Sequence, residues 1–151
     1  MATDSENVQP ELFAFLMCEK IVLDGEVAIL WRIIDTFNYE VTLPGTAPQE
    51  VQENPNVSLR CQLFTRWGPP GEGDFDEQLG LITPNDEEVT RDEPRQFKMT
   101  GKGFQQTVWD IQLWLTTPGI YKWVLYLNGN EFARLPFTVN ITRQATQTQT
   151  K

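Results

Sequence analysis

The chain has 151 residues, 40% hydrophobic and 22% charged, with 21 acids against 12 bases for a formal net charge of −9. That length fits one domain with its own core, and the negative charge argues against nucleic acid or an anionic membrane as partner, since both are held through Lys and Arg. Histidine is absent, which removes His-based triads and most zinc and iron sites, and no apolar run approaches the ~18 residues of a membrane-spanning helix.

Met1 to Pro10 carries acids where a secretory signal needs bases and an apolar stretch; residues 1–11 therefore read as a flexible N-terminus and the protein as cytoplasmic. Leu12 to Leu23 is almost continuously apolar, Asp24-Gly25 is a turn signal, and Val27 to Phe37 is rich in β-branched and aromatic residues. The pair predicts a hairpin. On its second strand Val27, Ile29, Trp31, Ile33, Asp35 and Phe37 share one face, with Asp35 the local conflict. Cys18 and Cys61, each inside an apolar run, read as small buried hydrophobes of a reducing compartment rather than as a disulfide.

Asn38 to Pro55 holds Pro44, Gly45, Pro48 and Pro55 and reads as a loop. Asn56 to Trp67 alternates with period two, Val57, Leu59, Cys61, Leu63, Thr65 and Trp67 inward and Ser58, Arg60, Gln62, Phe64 and Arg66 outward. Gly68 to Asp74 reads as a turn-rich loop, Leu79–Thr83 and Phe97–Thr100 as short strands, and Pro84-Asn85-Asp86 as a turn. From Phe104 to Leu115 the alternation resumes, with Trp109, Ile111, Leu113 and Leu115 inward and Asp110, Gln112 and Trp114 outward.

The strongest local signal is Asn128-Gly129 between two alternating runs, which favours a two-residue type I′ hairpin turn. Its register puts Tyr121, Trp123, Leu125 and Leu127 on the core face of one strand and Ala133, Leu135, Phe137, Val139 and Ile141 on that of the other. Phe132, Arg134, Pro136 and Thr138 then point away, and Pro136 suggests an edge or a bulge. Thr142 to Lys151 reads as a disordered polar tail. Seven to eight strands and no helical period predict an all-β, antiparallel β-sandwich of Ig-like architecture over residues 12–141.

The apolar start ending in Cys18-Glu19, the Asp24-Gly25 turn into Ile33-Ile34-Asp35-Thr36-Phe37, the segment Leu81-Ile82-Thr83-Pro84-Asn85-Asp86, and the closing Pro118-Gly119-Ile120-Tyr121 with Asn128-Gly129-Asn130 and Leu135-Pro136-Phe137-Thr138-Val139 resemble a family of small bacterial β-sandwich proteins classed as a domain of unknown function. The resemblance runs from about Leu12 to Ile141, and the chain departs from it in a longer Pro-rich connection after Phe37. It implies the fold and a bacterial, cytoplasmic setting, and it brings no activity or site residues.

Between Glu72 and Glu93, nine acids against Arg91 alone account for eight of the nine net negative charges. Asp74, Asp76 and Glu77 have the residue types for calcium but lack the Asp-x-Asp-x-Asp-Gly spacing with a closing Glu, so the window reads first as solvated loops. No metal or cofactor is expected. A catalytic carboxylate pair such as Asp35 with Asp110 finds no support in spacing, and no nucleophile elbow, phosphate loop or dinucleotide fingerprint occurs. Phe64, Trp114 and Tyr126, large aromatics on outward positions, are the candidate binding residues, the competing reading being that they pack beneath a loop such as Asn38–Pro55. The function expected is a non-enzymatic module that docks on a protein partner or self-assembles. The alternative is a carbohydrate- or calcium-binding module using acidic loops and exposed aromatics.

Overall fold

In a computed structural model, which describes residues 6–43 and 56–145, Asn128 and Gly129 both take positive φ, 50° and 78°. This is the type I′ geometry that their side chains tolerate. They join β9 (Gly119–Leu127) to β10 (Asn130–Ala145), with Trp123 opposite Leu135 and Tyr121 opposite Phe137. The expected core face is the one buried: Tyr121, Trp123, Leu125, Leu127, Phe137 and Val139 are all enclosed.

Ten strands are present among the described residues, two to three more than expected. They form two sheets. The first has the order β2 (Val27–Ile33), β1 (Glu11–Asp24), β4 (Val57–Gly68), β8 (Gln105–Leu115). The second runs β3 (Thr36–Leu43), β10, β9, β5 (Glu72–Ile82), β6 (Glu88–Arg91), with β7 (Arg95–Thr100) also paired to β5. All neighbours are antiparallel except β3 and β10. The result is a β-sandwich, its main core drawn from Leu59, Leu63 and Trp109 of the first sheet and Leu81, Trp123 and Phe137 of the second. No helix among the described residues is long and apolar enough to cross a membrane.

The chain changes sheet at Ile34-Asp35. Ile34 donates its amide to Met17 O in the first sheet (2.8 Å), and Asp35 O accepts from the Thr138 amide in the second (2.9 Å). The polar residue that conflicted with its apolar neighbours therefore lies at the crossover, exposed, where neither face needs covering. Beyond it, residues 38–43 are the parallel partner of β10 rather than loop, and residues 142–145 extend β10 beside them instead of starting a tail. The remainder of each segment, 44–55 and 146–151, lies outside the described residues, as do residues 1–5. Val8, in the segment expected to be flexible, exchanges backbone hydrogen bonds with Glu72 (2.9 Å each), and Pro10 is buried.

Two bulges set the direction of aromatic side chains, and one of these, Phe132, had been expected to point away from the core. At Phe132 the register slips between Glu131 and Ala133, so Phe132 turns inward and meets Trp67 edge-on at 4.8 Å. At Phe13 the slip between Leu12 and Ala14 leaves that ring outside, against Phe104. A bulge inserts one unpaired residue, so Phe132 joins Ala133 on the core side while Phe137 and Val139 keep the expected face.

The largest departure is the β1–β2 hairpin. Its turn residues are Gly25 (φ +60°) and Glu26, between the paired Asp24 and Val27. β1 pairs with β4 only as far as Cys18 opposite Gln62, and near that level Arg32 takes φ +52°. From Lys20 to Trp31 the hairpin is an arm folded over the outer face of the first sheet. Its tip reaches the far strand, where Gln106 Nε2 donates to Glu26 O (3.2 Å), and its middle is held where the Ile21 amide donates to Gln62 Oε1 (2.6 Å).

Candidate functional site

Phe64, Trp114 and Tyr126 do not form one surface. Phe64 is 2% exposed, covered by the arm in a cluster with Cys18 and Ile21 that also takes in Leu16, Ala28, Leu30 and Val108. Burial under a cover was the competing expectation, and among the described residues the cover is the arm; residues 44–55 of the loop named for that role lie outside them. Tyr126 is 7% exposed on the outer face of the other sheet, beside Val124 and Ile82. Its hydroxyl donates to Glu88 Oε2 (2.8 Å), and the Arg91 guanidinium lies 3.8 Å over its ring. Only Trp114 is open to solvent, at 68%.

The calcium candidates are likewise separated. Residues 72–82 form β5, a long strand paired on both sides, so Asp74 and Asp76 share its outer face and Glu77 takes the inner one instead of the three converging in a loop. Glu77, 1% exposed, points between the sheets. Its Oε2 accepts from Thr65 Oγ1 (3.1 Å) and Trp67 Nε1 (2.9 Å), and its Oε1 from Thr107 Oγ1. A carboxylate with three protein donors is a structural clamp, and it offers no open coordination to a cation. Among the described residues no group of three potential ligands is placed to hold a metal.

What the arm exposes is the feature that residue patterning missed. With one face on Phe64, the opposite face carries Val22, Val27, Ile29, Trp31 and Ile33 into solvent, Trp31 at 58% and Ile33 at 64%. Val22 stands directly opposite Ile29, Lys20 opposite Trp31 and Asp24 opposite Val27. Alternation put Val27, Ile29, Trp31 and Ile33 on one apolar face of the strand, and that face is the exposed one, whereas Ala28 and Leu30 of β2 pack on Phe64. The signal for this was available: a hairpin apolar on both faces must cover something with each. β2 is also the edge strand of its sheet, and exposed apolar edges are where proteins associate.

A second feature lies on the same outer face. Where the arm bends, Glu19 and Lys20 form one wall of an open cleft of about 660 Å³, whose floor is Arg60 to Gln62 of β4 and Asp110 to Gln112 of β8, Cys61 and Ile111 included. Arg60 is paired with Gln112, Gln62 with Asp110 and Ser58 with Trp114. Gln62 Nε2 donates to Asp110 Oδ1 (2.5 Å), and Glu19 pairs with Arg32 (3.3 Å).

No family model and no curated protein matches the chain. Among solved structures it is similar to a β-glucosidase from Listeria innocua, at 7% identity and a TM-score of 0.45, covering 89% of this chain and 17% of that one. It is also similar to the Pseudomonas fluorescens alkylpurine DNA glycosylase AlkC bound to DNA, at 7% identity and a TM-score of 0.42, covering 83% and 30%. The chain thus spans less than a third of either protein, and at this identity neither likeness extends to function.

Proposed function

We propose that this β-sandwich is a non-enzymatic self-assembly module whose docking element is the outer face of the β1–β2 arm. The observation that carries the reading is the two-sided apolarity of the arm, one face seated on Phe64 and the other exposed. The exposed face is self-complementary. It has Lys20 towards the bend and Asp24 at the tip, with Val22, Ile29, Trp31 and Val27 between. A two-fold axis through the Val22–Ile29 pair sets Lys20 of one copy against Asp24 of the next, Trp31 against Val27, and Ile29 against itself, an isologous contact with both charges matched. A bacterial, cytoplasmic setting is what the family resemblance implies, and two unpaired cysteines agree with a reducing compartment.

The seven residues of β2 make this face about 23 Å long, which places the contact at the small end of protein interfaces. Association is therefore expected to be weak and concentration-dependent. Light scattering across a concentration series tests it: the mass should rise towards twice the monomer for the native chain and stay monomeric for Ile29→Lys and Trp31→Lys. A native chain that stays monomeric up to about 1 mM, or variants that associate as the native chain does, would overturn the reading.

A further inference from the structure

We infer that the cleft between the arm and strands β4 and β8 is a binding site for a neutral oligosaccharide, with Trp114 as its stacking platform. This goes beyond self-assembly, which uses the opposite face of the arm.

The argument begins with charge. Two acids, Glu19 and Asp110, face two bases, Lys20 and Arg60, with the amides of Gln62 and Gln112 among them. These charges balance, with the apolar Cys61 and Ile111 between the polar groups, in a protein of formal net charge −9. Such a surface matches a partner with many hydroxyls and no charge, since each sugar hydroxyl both donates and accepts and is best met by planar carboxylate, amide and guanidinium groups in pairs.

Pre-organisation supports the same conclusion. Gln62 is fixed at both ends of its amide, accepting from the Ile21 amide and donating to Asp110 Oδ1. That leaves its second N–H and Asp110 Oδ2 available at the cleft floor, while Lys20, Arg60 and Gln112 make no side-chain hydrogen bond among the described residues. Gln62 and Asp110, held in place before the ligand arrives, lose less entropy on binding.

Shape and the aromatic complete the case. About 660 Å³ falls in the range of small-ligand pockets. Trp114 shares the outer face of β8 with Asp110 and Gln112, two residues or about 7 Å beyond Gln112. An indole exposed beside a row of hydrogen-bonding groups presents an apolar plane to the C–H face of a pyranose ring. β8 is the edge of its sheet, so the cleft is open on that side and a chain of sugars can run through it.

The test is calorimetric titration of the full chain with cellohexaose, maltohexaose, laminarihexaose, mannohexaose and chitohexaose, followed by native tryptophan emission. Saturable one-site binding of at least one of them is expected, with loss of about tenfold or more in Trp114→Ala and Asp110→Ala and retention within about threefold in Trp114→Phe, which keeps a stacking ring. Trp114 is exposed, so these variants should fold, as near-ultraviolet circular dichroism would verify. No saturable binding of any of the five up to about 10 mM, or binding undiminished in Trp114→Ala, overturns the assignment. Preferential binding of polygalacturonate over all five overturns the neutral class.

Discussion

Trp67 donates its indole N–H to Glu77 Oε2 at 2.9 Å, from the first sheet to the second, across an interior built mainly of hydrocarbon and aromatic rings. Thr65 and Thr107 donate to the same carboxylate from two strands of the first sheet. Removing the acceptor strands a buried indole N–H that cannot rotate to another partner. Glu77→Ala is expected to destabilise the fold by about 3 kcal/mol, through unsatisfied donors and a cavity together. Urea denaturation would check this, and a loss below about 1 kcal/mol would mean that water replaces the carboxylate.

Phe64 and Trp31 are both aromatics of the first sheet, and they should respond to substitution in opposite ways. Phe64→Ala removes a ring enclosed by Leu16, Ile21, Leu30 and Val108, so a loss of about 3 kcal/mol is expected, with the arm loosened. Trp31→Ala removes an exposed ring and should change stability by less than about 0.5 kcal/mol. Hydrogen exchange of Ile21 to Leu30 would separate the two, faster in the first variant and unchanged in the second.

Glu88 gives a pH dependence. Hydrogen bonds from Arg91 first, and from Tyr126 second, hold its carboxyl below the usual carboxylate range. A depressed folded-state value means that the contribution is complete above the unfolded value and is lost as pH falls through the folded one. Glu88→Gln should therefore melt below the native chain at neutral pH, and the two should converge as pH falls below about 5. The group is partly solvated, so the difference is small. A gap that stays constant from neutral pH to acid would rule out the carboxylate as its source.

The cysteines should be silent. Burial first, and the neighbouring Cys18 second, push the Cys61 thiol up to about 12, and burial raises Cys18 as well. Thiolate is the reactive form, so a thiol-specific reagent at neutral pH should label neither residue faster than the chain unfolds. The pair should not oxidise to a disulfide either, because Cys18 stands opposite Gln62, the residue next to Cys61, on the other face of the sheet. Rapid labelling in native buffer would show that the arm opens over Cys18.

The amino-acid sequence by itself determined the all-β class, the Asn128-Gly129 turn, and the side chains that share a face on β4, β8 and β9, because a period of two and a turn requiring positive φ are local properties of the backbone. Tertiary structure alone decided which of two apolar faces is covered. Phe64 and Trp31 are equally apolar on paper, and only the fold of the arm over the sheet separates them. The acidic start of β5, Glu72 to Glu77, read as loop because it holds four acids and one apolar residue, yet Phe75, Leu79 and Leu81 were enough to seat the strand between β9 and the pair β6 and β7. Residues 38–43 read as loop because their partner, β10, lies about a hundred residues further along the chain. Pairing at that distance leaves no local trace. The cleft is of the same kind, since Lys20, Arg60 and Gln112 come from three separate segments and meet only when the arm bends.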